Sequence, residues 1–279
     1  MKAFKKILSS LLVVVMCLTS APLEGFIRLE WPELPNINFS GWFGSEASAL
    51  EDSGSCGENV TYTYNSDTGE VVISGTGAMT DYSSTGSPFY NSSIKYVVIE
   101  NGVTNISNNL FYNCLSLISI IIADSVTSIG NYAFQNCSNL KTITLNDGLT
   151  SIGGRAFYGT GITEISIPKT VTTLCVNCEG YRSFVYGATN LKSVIFEEGM
   201  QTIPSRALMD CSSITDVVIP DSVTSIGSGS FINCTGLINI ELPNTVTSIG
   251  DTAFSGCIGL SDLILPPLVT SIEVRTYEK

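Results

Sequence analysis

The chain has 279 residues, a formal net charge of −12 and no histidine, and 44% of its residues are hydrophobic against 14% charged. This composition is too apolar for a disordered protein, and the lack of histidine excludes Ser-His-Asp and Cys-His nucleophile pairs, His-ligated zinc and histidine proton shuttles. With 13 Lys and Arg against 25 Asp and Glu, the chain is poorly suited to neutralise phosphates, so we expect no binding to nucleic acid.

The N-terminus has the pattern of a secretory signal. Lys2, Lys5 and Lys6 precede an apolar run at residues 7–18, which is too short to span a bilayer comfortably. We therefore predict a signal peptide at residues 1–21, a secreted or cell-surface location, and no transmembrane span once the signal is removed.

Residues 22–55 show no regular hydrophobic period and contain several prolines and tryptophans, so we predict a linker there. A β-hairpin pattern follows. Val60, Tyr62 and Tyr64 alternate, residues 67–69 (Asp-Thr-Gly) supply a turn, and a second apolar run lies at residues 71–73.

From residue 95 onward the sequence repeats every 23 residues, as the spacings from Leu117 to Leu140 and from Leu237 to Leu260 show. One unit is a residue short, and the next is six residues longer because of an expansion near residues 175–183. A unit of this size cannot bury its own apolar face, whereas stacked units share a continuous core. We therefore predict a solenoid over residues 95–272 and a tail at residues 273–279.

Within a unit, Leu140, Ile143 and Leu145 have the spacing of an extended segment whose stacked copies form a parallel sheet. Residues 126–129 (Val-Thr-Ser-Ile) predict a second short strand, followed by a turn at Gly130. The next residues are too few for more than one helical turn, and Phe134 is expected to fill the core. Parallel crossovers predict a right-handed coil.

The segments SVTSIGNYAFQNC (Ser125 to Cys137) and TVTSIGDTAFSGC (Thr245 to Cys257) resemble the unit of the BspA-like leucine-rich repeats, and the resemblance covers residues 95–272. It implies a mostly β, right-handed leucine-rich-repeat solenoid with a parallel sheet and short helical turns, preceded by a β-hairpin N-terminal cap, here residues 56–94. It also implies a secreted or surface-displayed bacterial interaction protein, often an adhesin, with no common catalytic site. The last unit departs from the pattern, because it stops after Ile272 without its AFxxC half.

Five cysteines recur at one repeat position, which predicts a stack of small buried thiols: Cys114, Cys137, Cys211, Cys234 and Cys257. Cys175 and Cys178 form a lone CxxC, for which a local disulfide or free thiols fit better than zinc, because two further ligands are lacking. No spacing forces two carboxylates to face each other. We predict no enzymatic activity, no catalytic or metal-binding residues and no cofactor.

The outward positions of the predicted sheet form two columns of side chains. The first column is polar to acidic and consists of Tyr96, Ser119, Thr142, Glu164, Ser193, Asp216, Asn239 and Asp262. The second column is largely apolar and β-branched and consists of Val98, Ile121, Thr144, Ser166, Ile195, Val218, Glu241 and Ile264. Such a row approaches the size at which interaction sites occur, although strand propensity alone also accounts for Val and Ile.

We predict that these columns bind a protein ligand, such as a host or extracellular matrix protein. The candidate residues are Tyr96, Val98, Ile121, Glu164, Ile195, Asp216, Val218, Glu241, Asp262 and Ile264. Two alternatives stay open. One is a passive stalk or spacer without a specific ligand, and the other is an enzyme with scattered acidic residues.

Overall fold

The computed structural model describes residues 51–176 and 183–272. The predicted signal peptide, residues 22–50 of the predicted linker, most of the expansion and the tail at 273–279 lie outside the described residues. The side chains of Cys175 and Cys178 also lie outside this description, so their redox state stays a prediction.

The described chain begins with three antiparallel strands: β1 (Glu51–Ser55), β2 (Val60–Asn65) and β3 (Glu70–Gly75). Strands β2 and β3 form a hairpin in which Tyr62 lies opposite Ile73. Residues 51–55 were predicted to end the linker, but they form the edge strand β1. Its sequence, EDSGS, has no apolar alternation, and β1 is held by pairing with β2 rather than by a buried face.

The hairpin is continuous with the solenoid, because β3 pairs in parallel with the first coil strand. The long strands of the coils are β4 (Tyr96–Ile99), β6 (Ser119–Ile122), β9 (Glu164–Ile167), β11 (Ser193–Phe196) and β13 (Asp216–Val218). We call this set the first ladder. Its strands belong to two sheets. One has the order β1-β2-β3-β4-β6 and so includes the hairpin strands, and the other has the order β13-β11-β9.

The division lies at residues 142–145, which were predicted to be extended and form no strand pairing. They belong to the unit that is one residue short. Leu145 is buried there and Ile143 is half-buried, so the segment still contributes to the core.

A second ladder of very short parallel strands forms another side of the solenoid. Its strands are β5 (Asn105–Ile106), β7 (Ser128–Ile129), β8 (Ser151–Gly153), β10 (Thr173–Val176), β12 (Thr202–Ile203), β14 (Ser225–Ile226), β15 (Ser248–Ile249) and β16 (Ser271–Ile272). They form one sheet from β5 to β10 and another from β12 to β16. The break falls at the expansion, where the extra residues separate β10 from β12.

The third side of each coil consists of tight turns, and the described residues contain no helix. The predicted short helical turns are therefore not confirmed. Tyr132 and Asn136 have φ values of 58° and 64°, in the left-handed region, which a right-handed helix does not contain. The backbone N–H groups of Tyr132, Phe134 and Asn136 instead donate to carbonyls of the next coil, over 2.7–3.0 Å.

The core is a stack of equivalent side chains, as the repeat predicts. Phe134 is fully buried, and its ring lies parallel to those of Phe111 and Phe157, with centroids 5.5 Å away in both cases. Leu208 takes the equivalent place before Phe231 and is also fully buried. The right-handed sense of the coil stays a prediction.

Candidate protein-binding surface

Strand pairing aligns the outward side chains of the first ladder. Val98 pairs with Ile121, and Ile195 pairs with both Ser166 and Val218. Their neighbours along each strand point into the core, since Val97 is 1% exposed. The second column therefore exists as a physical row within these two sheets. The prediction is wrong for Glu241 and Ile264, which lie outside both sheets because residues 239–242 and 262–265 form no strand.

None of the second-column side chains is buried. Val98, Ile121, Ser166 and Ile195 are half-buried, whereas Thr144 and Glu241 are exposed. Val218 is 45% exposed and Ile264 is 82% exposed. These apolar groups present surface to solvent, where burial by a partner is favourable.

The apolar members of the second column form two groups rather than one row. Val98 and Ile121 belong to the sheet that contains the hairpin, and Ile195 and Val218 belong to the other sheet. Thr144 and Ser166 lie between the two groups in chain order. Each group is thus smaller than the row that the sequence suggests.

The sequence analysis missed Val72, which extends the first group. Val72 in β3 pairs with Val98 and is half-buried, whereas its neighbours Val71 and Ile73 are fully buried. The alternation was visible in the sequence. The parallel pairing of the hairpin with the first coil was not, and that pairing places Val72 in the column.

The first column is polar, and its acidic members are solvent-exposed. Glu164, Asp216 and Asp262 are all exposed. Glu164 and Asp216 both pair with Ser193, whose hydroxyl donates to Asp216 Oδ2 over 3.5 Å. Next to this column, Ser166 donates to Glu197 Oε1 over 3.2 Å. The sheet β13-β11-β9 therefore presents the apolar pair Ile195 and Val218 beside two carboxylates, those of Glu164 and Asp216, which flank Ser193.

At the other end of the first column, Tyr96 pairs with Ser119 on one side and with Glu70 of the hairpin on the other. Burial raises the pKa of the Glu70 carboxyl above its usual value, because desolvation disfavours the charged form. Glu70 is a second residue that sequence reasoning did not assign to the surface.

The ladder cysteines are buried and unpaired, as predicted: each of the five is at most 3% exposed. Four of the thiols donate to a carbonyl of the preceding coil; Cys137, for example, donates to Phe111 O over 3.2 Å and Cys257 to Phe231 O over 2.9 Å. Burial raises the pKa of Cys211 to about 12 and that of Cys137 well above the ordinary value. Reactive thiolate chemistry is therefore disfavoured at Cys137 and Cys211.

The described residues contain no group of three or more Cys, Asp or Glu side chains placed to hold a metal ion. Within the same part of the chain, no helix is long and apolar enough to cross a membrane.

The stacked coils, with their two parallel ladders and phenylalanine core, define a leucine-rich-repeat solenoid. The sequence matches the BspA type leucine rich repeat region in six copies, over residues 85–183 and 180–279. These matches cover more than half of the chain, and the protein therefore belongs to the BspA-type leucine-rich repeat family.

Several solved structures are similar to this chain. A leucine-rich repeat protein from Eubacterium ventriosum is 24% identical, with a TM-score of 0.46, over 75% of this chain and 71% of that one. The T. pallidum leucine rich repeat protein is 18% identical, with a TM-score of 0.44, over 72% and 87%. A leucine rich cell surface protein from Faecalibacterium prausnitzii is 23% identical, with a TM-score of 0.30, over 80% and 84%. No curated protein matches the sequence.

Proposed function

We propose that this protein is a secreted or cell-surface protein that binds a protein ligand through the first ladder, and that it serves adhesion to a host or extracellular matrix protein. The observation that carries this proposal is the apolar pair of half-buried Ile195 and exposed Val218, aligned by strand pairing and bordered by Glu164 and Asp216. Its location is supported by the signal pattern at residues 1–21.

The chemistry of this surface favours a basic, partly apolar ligand. Apolar side chains supply contact area, and the neighbouring carboxylates attract Lys or Arg of the partner. Interfaces concentrate their energy in a few central residues, where truncation costs about 2 kcal/mol or more. Ile195 and Val218 are adjacent and form the apolar group of their sheet, so they are the residues to test first.

The test is the double variant Ile195→Thr, Val218→Thr in the full chain. Threonine keeps the β-branched shape, so the fold should be retained, while binding to purified extracellular matrix proteins should weaken about tenfold for each 1.4 kcal/mol lost. The matched control is Leu115→Thr, Ile258→Thr, which removes two exposed apolar side chains outside both columns.

A folded Ile195→Thr, Val218→Thr variant with unchanged affinity for a verified partner would exclude this surface. A spacer function predicts that neither double variant alters adhesion. An enzymatic function has no support in the spacing of the carboxylates, and the family resemblance implies no common catalytic site.

A further inference from the structure

The turn side of the solenoid carries a row of half-buried aromatic side chains that the first ladder does not involve. They lie two residues before the ladder-cysteine position of successive coils: Tyr90, Tyr112, Tyr158 and Tyr186, with Gln135 in the intervening coil. The rings of Tyr90 and Tyr112 are stacked, with centroids 6.1 Å apart. The rings of Tyr158 and Tyr186 have the same centroid distance but are tilted, at an interplanar angle of 34°. Gln135 Nε2 donates to the Tyr112 hydroxyl over 3.4 Å.

Arg155 extends into this row. Its guanidinium carbon lies 5.8 Å from the centroid of the Tyr132 ring and 5.3 Å from that of Tyr186, so the cation is held between aromatic rings of the coils before and after its own. The Tyr158 ring lies against Gly187, where a Cβ would overlap it, and Gly187 also has a φ of 72°. The backbone of this coil is therefore shaped to seat the ring.

Among the described residues, the Arg155 guanidinium has no carboxylate partner. Its Nε is buried and makes no hydrogen bond, and the two ring contacts are its side-chain interactions there. The backbone of Arg155 is in the left-handed region, with φ of 53°, as it is at the equivalent repeat positions Tyr132 and Arg206, so this conformation belongs to the repeated turn. A cation that has no carboxylate partner among the described residues, in a chain with a net charge of −12, can still pair with a carboxylate of a ligand.

We propose that Arg155, with Tyr132 and Tyr186, forms a second binding site that takes one carboxylate of a partner protein. A guanidinium offers paired N–H donors that match a carboxylate, and flanking rings fix its orientation. Tyr and Arg are the residue types enriched at protein interfaces, and here they lie together on one side of several coils.

The charge of the chain selects the kind of partner. A polyanion such as a sulfated polysaccharide needs several cations and is repelled by the net negative charge of the protein. A protein segment with a single Asp or Glu between apolar or aromatic residues needs one cation and uses the tyrosine row for the rest of its contact. The occupant is therefore such a segment, not a polyanion.

The experiment uses random dodecapeptides displayed on phage and selected on the full chain. The enriched peptides are synthesised and titrated against the native protein by fluorescence anisotropy. We expect a single Asp or Glu in the binding peptides. Because a hydrogen bond to a charged group contributes roughly 1.5–3 kcal/mol, Arg155→Gln should weaken binding about tenfold to hundredfold. Replacing the peptide carboxylate by its amide should give the same loss, without any change to the protein.

Two control variants distinguish binding at Arg155 from general charge attraction and from binding at the first ladder. Lys192→Gln removes an exposed cation outside the row and should leave the peptide affinity unchanged. Ile195→Thr, Val218→Thr tests the first ladder and should also leave it unchanged, so this proposal and the proposed function can fail independently.

Other outcomes overturn the site. Peptides that bind the native chain and a folded Arg155→Gln variant equally well, or that tolerate the amide, would show that no carboxylate is recognised by Arg155. Equal losses for Arg155→Gln and Lys192→Gln would show general charge attraction. A selection that enriches no peptide, or only polyacidic ones, would leave Arg155 and its two flanking rings with a structural role only.

Discussion

Replacing Phe134 by alanine measures how far the aromatic stack stabilises the solenoid. The ring is fully buried between the parallel rings of Phe111 and Phe157, at interplanar angles of 14° and 1°. Removal of a buried Phe side chain costs about 3–5 kcal/mol, and each aromatic pair contributes about 0.5–1.5 kcal/mol beyond its buried area. Since Phe134 takes part in two ring pairs, we expect Phe134→Ala to lower the free energy of unfolding by about 4–5 kcal/mol, the upper end of this range.

Phe134→Leu is the matched control, because Leu208 already occupies the equivalent position in another coil. It keeps most of the apolar volume and loses both ring pairs, which predicts a cost of about 1–3 kcal/mol. The measurement is urea unfolding of the full chain followed by circular dichroism. A loss below about 1 kcal/mol for Phe134→Ala, with an unchanged denaturant slope, would refute the view that the stacked rings hold neighbouring coils together.

Two further predictions concern titratable groups. With Cys17, Cys175 and Cys178 replaced by Ser, the folded protein should react hardly at all with a thiol reagent. The six buried thiols, those of Cys56 and the five ladder cysteines, should react once the protein is unfolded without reductant. Fewer than six reactive thiols in the unfolded sample would indicate disulfides and contradict the prediction of free buried thiols. Burial raises the folded-state pKa of Glu70 above its unfolded value, so the ionised carboxylate lowers stability once the pH exceeds the folded-state pKa. Glu70→Gln should therefore be more stable than the native protein at neutral pH, and this gain should vanish on acidification below about pH 4, the unfolded range of a Glu carboxyl; denaturation midpoints that differ equally at both pH values would contradict it.

The spacing of the sequence was enough to predict the coil, most of the strand positions and most of the core, although residues 142–145, 239–242 and 262–265 form no strand. Equivalent residues in a solenoid have equivalent neighbours, so Phe134 and Cys137 could be placed in the core from the repeat alone. Phe184 shows where this reasoning weakens. It lies at the edge of the expansion, and its ring meets that of Phe157 at 81° instead of stacking in parallel. The extra residues shift the phenylalanine by one place relative to its equivalents.

The turns could not be predicted, because their conformation is set by the adjacent coil. The residues NYAFQN at 131–136 contain helix formers such as Ala133 and Gln135, which favour a helical turn locally. The N–H groups of Tyr132 and Phe134 donate to Gly154 O and Ala156 O of the next coil, a pattern that requires the left-handed residues. Contacts between coils thus override local propensity, and the same kind of contact brings Val72 into the second column.

The two proposed binding sites differ in position along the chain as well as in chemistry. The tyrosine row lies at residues 90–186, and its equivalent positions in the later coils are Met209, Ile232 and Ser255. The apolar pair Ile195 and Val218 lies in coils after the expansion. Because each coil contacts only its neighbours, substitutions at Arg155 and at Val218 share no partner, and their effects on stability should add. Their effects on binding should be separable for the same reason, so a partner that loses affinity at both positions must span both sides of the solenoid.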